Sequence, residues 1–353
     1  MVDKSSDNCI FGPMTQPRNY RIFSHHQPFA LEAGGVLPEL HLAYHSLGTP
    51  NAEQRNVVWI CHALTANSDP ADWWPGMVGP GCTYDPAHWH ILCVNMLGSC
   101  YGSSGPQLPN PAIGQPYGRH FPDVTVRDMV RAMELLRQHL GIGRIHTLMG
   151  GSMGGQQALE WAVQQPQLFG HLVVLATNAR HSPWGIAYNS AQRMALQADP
   201  GWDQPGGGAA GLEAARAVAM LSYRSYTAYG QTQADEQDDK LQGYRAESYV
   251  QYQGQKLRKR FHPYSYYLLS RAMDSHHLGR GRGPLPSVLG QVQARTLCIG
   301  ITSDYLFPPA EQQYLAQHIP GARYVEIDSI FGHDGFLVEH VQISQAIAAF
   351  YAG

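Results

Sequence analysis

The chain has 353 residues, a length that fits two domains or one large domain carrying an insertion. Its 24 Lys and Arg against 27 Asp and Glu leave a formal net charge of −3, which excludes a generic polyanion binder: no basic surplus exists to neutralise a phosphate backbone. Charged residues make up 14%, yet no apolar run reaches the roughly 18 residues of a membrane span, and the N-terminal MVDKSSDNCIFGPMTQPRNY has no apolar core of a secretory signal.

In chain order, ELHLAYHS (39–46) alternates polar and apolar side chains, which predicts a half-buried strand. VVWIC (57–61) and HILCVN (90–95) are short apolar runs bounded by turn residues, as expected of central strands covered on both faces. The long Gly- and Pro-rich stretch between them predicts a functional loop. Residues 125–140 place Val126, Met129, Val130, Met133, Leu136 and Leu140 at helical spacing, with Thr125 as cap, Asp128 three residues on and Gly141 as stop. A strand (144–150), a helix (154–165) and a strand (171–176) follow, and this alternation predicts a parallel sheet with helices on its faces. From 183 to 290 no strand run is evident. The strand type resumes at 295–303, followed by a helix (309–318), a strand (324–327) and a last helix over 336–351. The domain reading is therefore one α/β unit, 1–182 with 291–353, carrying a helical insertion at 183–290. The six cysteines, among them Cys9, Cys61, Cys93 and Cys298, contain no C-x-x-C pair; they read as reduced thiols and favour a cytoplasmic home.

Gly150-Gly151-Ser152-Met153-Gly154 matches G-x-S-x-G between a predicted strand and a predicted helix, the context of a nucleophile elbow. A serine nucleophile needs a base and an acid that orients it, and in this arrangement the chain order is Ser, acid, His. Asp304 in TSDYLFPP and His333 in FGHDGF satisfy that order, each just past a predicted strand end; Asp328 is the rival acid. The oxyanion hole is expected from the backbone N–H of Met153 and that of Leu64 in the loop after strand 57–61, with His62 shaping that loop. The basic GQKLRKRF, with Lys256, Arg258, Lys259 and Arg260, reads as a solvated face or a phosphate contact. No metal spacing and no P-loop are present in the sequence.

The triad alone leaves esterase, peptidase and acyltransferase readings open. HALTANSDPADWWPGMVGPG, NMLGSCYGSSGP, GGSMGGQQALEW, SYVQYQGQKLRKRFHPYSYYLLSRAMDSHHLGRG, TSDYLFPP and GHDGFL together resemble the homoserine O-acetyltransferase family of the α/β-hydrolase superfamily, from about residue 20 to 351. The resemblance implies an α/β-hydrolase fold with a helical lid, and acetyl transfer from acetyl-CoA to L-homoserine by an acyl-serine intermediate, a step toward methionine. It also implies a cytoplasmic homodimer formed through the lid, and no cofactor beyond acetyl-CoA as co-substrate. Carried over by motif, Ser152, Asp304 and His333 are the triad, Arg224 in SYRSY meets the amino acid's carboxylate, and Asp334 holds its ammonium. Leu306, two after the acid, replaces the arginine of succinyl-transferring relatives and implies an acetyl donor. Related enzymes acylate serine or deacetylcephalosporin C, and a carboxylesterase carries the same triad.

Overall fold

The computed structural model describes residues 19–353. Ten strands run β1 (Arg21–His25), β2 (Phe29–Ala30), β3 (Val36–Leu37), β4 (Leu40–Leu47), β5 (Val57–Cys61), β6 (His90–Val94), β7 (Ile145–Gly151), β8 (Phe169–Leu175), β9 (Arg295–Ile301) and β10 (Arg323–Ile327). Twelve α-helices accompany them among the described residues. In the first half lie α1 (Pro70–Trp73), α2 (Val126–His139), α3 (Met153–Gln164), α4 (Pro183–Gln197), α5 (Ala209–Tyr223) and α6 (Tyr226–Thr232). Then come α7 (Arg245–Arg258), α8 (Pro263–Asp274), α9 (Leu285–Leu289), α10 (Pro309–His318), α11 (Gly335–Val338) and α12 (His340–Ala352).

Eight strands form one sheet in the order β1-β4-β6-β5-β7-β8-β9-β10. The pairs β1–β4 and β4–β6 are antiparallel, and the other five are parallel. β5 is buried at every residue. Its alternate side chains enter different apolar clusters: Trp59 joins Leu148 and Trp161 on one face, and Val58 and Ile60 join Met149 and Val173 on the other. That two-sided burial is why VVWIC reads as a continuous apolar run. Residues 183–289 supply α4 to α9 and none of these strands.

α2 begins as the sequence predicts: Thr125 accepts from the Asp128 N–H, and the Asp128 carboxylate accepts from the Thr125 N–H, a reciprocal capping box. The expected single C-terminal helix is instead α11 and α12, broken at Glu339, where φ −84° and ψ 41° are not helical. β1 escapes sequence reading because RIFSH sits at the sheet edge and mixes polar with apolar side chains. Cys61, Cys82, Cys93, Cys100 and Cys298 are all free thiols; Cys9 lies outside the described residues.

Burial pushes His62 and His181 down to about 4 and His276 down to about 3. The unfolded chain takes up these protons near pH 6.5, while the folded one refuses them until lower pH. Stability therefore falls as pH drops below about 6.5, by up to about 2 kcal/mol per histidine at pH 5. Urea unfolding at neutral pH and near pH 5 checks this. His276→Gln should lose less between the two conditions than the wild type; an equal loss would exclude His276 as a source.

Candidate active site

Cys61 pairs with Gly150, so the loop leaving β5 and the turn leaving β7 emerge side by side. β6 lies on one side of β5 and β7 on the other. The direction of sheet growth thus reverses here, which opens a crevice at the carboxyl ends of the strands.

Ser152 occupies the turn between β7 and α3 at φ 56° and ψ −127°, a left-handed backbone that a residue with a Cβ adopts only under constraint. The constraint is visible. The Ser152 N–H donates to the Leu175 carbonyl at 3.0 Å, and the Thr177 hydroxyl donates to the Ser152 carbonyl at 2.8 Å. A Cβ at Gly154 would stand 2.1 Å from the Cys61 carbonyl oxygen, and one at Gly150 would stand 2.2 Å from that of Gly154. The run of small residues around the serine is thus what lets helix and strands close on it.

The His333 Nε2 lies 2.9 Å from Ser152 Oγ, and its Nδ1 lies 2.7 Å from Asp304 Oδ2. Asp304 is fixed in turn, because its Oδ1 accepts the N–H groups of Leu306 and Phe307, each at 2.9 Å. All three side chains are buried. Phe307 stacks on the His333 ring at 5.0 Å and 26°. Asp328, the rival acid, faces the Thr302 hydroxyl. The arrangement can take a proton from the serine and hold the resulting imidazolium.

Met153 opens α3, where the first backbone N–H groups have no acceptor within the helix. Leu64 and Ser152 line the same open cavity. His62 shapes the Leu64 loop: its Nε2 accepts the Met96 N–H at 3.1 Å, so Nδ1 carries the proton and donates to the Ala63 carbonyl at 2.8 Å. Both nitrogens are engaged, and burial keeps the ring neutral. One further brace had no local sequence signal. Arg260 Nη1 donates to the Thr65 carbonyl at 2.6 Å and to the Tyr101 hydroxyl at 2.8 Å. Arg258 is bonded to Glu213, so both arginines of the basic cluster are engaged by the protein itself.

Arg224 and Asp334 come together as a buried pair, Nε to Oδ2 at 2.8 Å. Asp334 lines the cavity beside Ser152 and His333; Arg224 is not among its lining residues. Leu306 packs in the apolar cluster with Phe307 and does not line the cavity. The segment after α5 is fastened to both triad loops: Ser225 Oγ donates to the Ile330 carbonyl, and the Tyr305 hydroxyl meets the Leu221 and Arg224 carbonyls. Among the described residues, no three His, Cys, Asp or Glu side chains converge as a metal site requires, and no helix is long and apolar enough to cross a membrane.

Sheet order, serine elbow and Ser-His-Asp contacts define an α/β hydrolase, and the family model described as alpha/beta hydrolase fold matches residues 56–339. The homoserine O-acetyltransferase of Cyclobacterium marinum is 43% identical over 340 residues, 96% of this chain and 97% of that one. The crystal structure of homoserine O-acetyltransferase from Staphylococcus aureus superposes with a TM-score of 0.77 at 30% identity, covering 94% of this chain and 95% of that one. Esterase E22 superposes with a TM-score of 0.85 at 23% identity over 94% and 99% of the two chains, a likeness of fold. The chain belongs to the homoserine O-acetyltransferase family.

Proposed function

We propose that this chain is an acyltransferase that moves an acetyl group from acetyl-CoA to the hydroxyl of L-homoserine, a step toward methionine. The observation that carries the reading is the Ser152–His333–Asp304 chain of contacts within a family of that activity. His333 takes the Ser152 proton as Oγ bonds to the thioester carbonyl carbon. The Met153 and Leu64 N–H groups hold the oxyanion. The carbon–sulfur bond then breaks, and CoA leaves as the thiol with the proton from His333. Homoserine enters next. Its hydroxyl proton passes to His333, its oxygen bonds to the acyl carbon, the Ser152 ester bond breaks, and the proton returns to Ser152.

A zwitterionic acceptor needs a fixed cation and a fixed anion. In this reading Asp334 holds the ammonium and Arg224 the carboxylate. Their mutual bond engages Nε and Oδ2, and it is Asp334 that faces the cavity beside Ser152. Residues 183–290 act as a lid that keeps water from the acyl-enzyme. The reading includes a cytoplasmic location and pairing with a second copy through the lid, where Met194, Tyr226 and Leu241 are exposed by 67%, 93% and 90%.

The test is a matrix of acyl-CoA donors against acceptor alcohols, read as free thiol release. Acetyl-CoA with homoserine should be the best pair. Hydrolysis of simple esters with no response to CoA or an amino acid would instead make the chain an esterase. Acetyl-CoA should exceed succinyl-CoA by at least about tenfold in kcat/KM, because a desolvated succinyl carboxylate needs a cation and the position that is arginine in succinyl-transferring relatives is here Leu306, packed in the apolar cluster. Leu306→Arg should shift the preference toward succinyl-CoA, with a melting curve checking that the fold accepts an arginine there. A wild-type preference for succinyl-CoA would place donor choice elsewhere.

A further inference from the structure

Leu306 does not line the cavity at Ser152, so the length of an acyl chain on the serine has to be limited by a residue that does. The lining residues come from different parts of the fold and differ in character. Tyr223, at the end of α5, and Asp334, next to the base, are polar, and the Tyr223 ring is 5.8 Å from that of His333. The segment that carries the Leu64 N–H supplies Leu64, Thr65, Ala66 and Trp73. Trp73 is the largest of these side chains, and it is buried and held at two points. Its Nε1 donates to the Asn67 carbonyl at 2.8 Å, and its ring stacks on Trp74 at 5.2 Å and 16°. Trp74 is itself buried and meets Phe336, whose ring is 5.2 Å from that of His333. Turning the Trp73 indole aside would leave a buried N–H without its acceptor and push into packed rings, so the indole is a fixed surface.

We propose that Trp73 is the end wall of the acyl pocket and restricts the group carried by Ser152 to a short chain. The proposal rests on the acyl-serine step of the acyltransferase reading. In the tetrahedral intermediate the carbon bonded to Ser152 Oγ carries three other groups. Its oxygen lies at the Leu64 and Met153 N–H groups. The thiol that leaves, and the alcohol that replaces it, must both reach His333 Nε2, which is 2.9 Å from Oγ. The acyl chain takes the direction that remains, away from the base and its polar neighbours and toward the apolar side of the cavity, where Trp73 stands. A fixed indole does not yield to a longer chain, and one methylene too many costs such a pocket about 10- to 200-fold.

The probes are p-nitrophenyl acetate, butyrate and hexanoate, which acylate Ser152 with release of p-nitrophenol and need neither CoA nor an amino acid. The measured quantity is the ratio of the acylation rate constant for hexanoate to that for acetate. The wild type should favour acetate, and in Trp73→Ala the ratio should rise by about 10- to 100-fold. Trp73→Phe keeps a ring on Trp74 and should raise it by about 3- to 10-fold, which preserves the test if the alanine variant does not fold. Melting curves show which variants are folded. A ratio within about twofold of wild type in the folded variants overturns the proposal. So does a wild type that takes hexanoate as fast as acetate. An unchanged ratio with a raised homoserine KM overturns it too, by setting Trp73 against the acceptor. Acetyl-, butyryl- and hexanoyl-CoA should follow the same order as donors to homoserine. If the nitrophenyl esters show that order while acetyl-CoA transfers nothing to homoserine, the acyltransferase reading has failed and the wall stands.

Discussion

Ser152→Ala should lose about six orders of magnitude in kcat for CoA release, the scale on which removal of a triad serine acts. The change deletes the one oxygen that lies 2.9 Å from His333 Nε2. It leaves the turn intact, because alanine carries the same Cβ at the same positive φ and the bonds that fix this turn come from backbone atoms and Thr177. Folding is therefore not the variable, and a melting curve should match the wild type. The wild type incubated with acetyl-CoA and no acceptor should carry an acetyl group on the peptide containing Ser152, and the variant should carry none. Turnover within about a hundredfold of wild type would show that the acyl group passes directly from CoA to the acceptor, and the two-step scheme would be abandoned.

Much of this site was legible because its signals are local. The Gly-Gly-Ser-Met-Gly run concentrates in five residues a strand end, a strained turn and a helix start, each of which demands small neighbours. Asp304 and His333 could be named because chain order and strand ends restrict where an acid and a base may stand. β5 and β6 were legible because burial on both faces leaves an unbroken apolar run. The unread parts depend on contacts that no local pattern encodes. Arg224 and Asp334 are 110 positions apart, and Arg260 reaches Thr65 across 195. Sequence reading assigned these arginines by motif and by charge; only the packing of the helical segment against the sheet shows that the first has an anion already and the second braces a loop.

Asp304→Asn should lower kcat by about 10⁴ with the fold unchanged, and the reason is which atom the protein forces to face His333. Two backbone N–H groups, of Leu306 and Phe307, point at Oδ1 at 2.9 Å each. Both are donors, so an asparagine must place its carbonyl oxygen there. Its NH₂ group then occupies the place of Oδ2, which is 2.7 Å from His333 Nδ1. A donor in that place compels Nδ1 to accept and moves the ring proton to Nε2. The nitrogen facing Ser152 then holds a hydrogen and cannot take another. The variant would keep every contact distance and still lose its base. Nitrogen NMR of the histidine ring should report the Nε2–H tautomer in Asp304→Asn and the Nδ1–H tautomer in the wild type. Asp304→Ala separates this effect from simple loss of the acid: it imposes no tautomer, and releases the Leu306 and Phe307 N–H groups instead, so its melting temperature should fall where that of Asp304→Asn does not. An Asp304→Asn enzyme within about tenfold of wild type would mean that the imidazole is oriented by its stacking on Phe307 alone, and the acid's role would be reduced to capping its own turn.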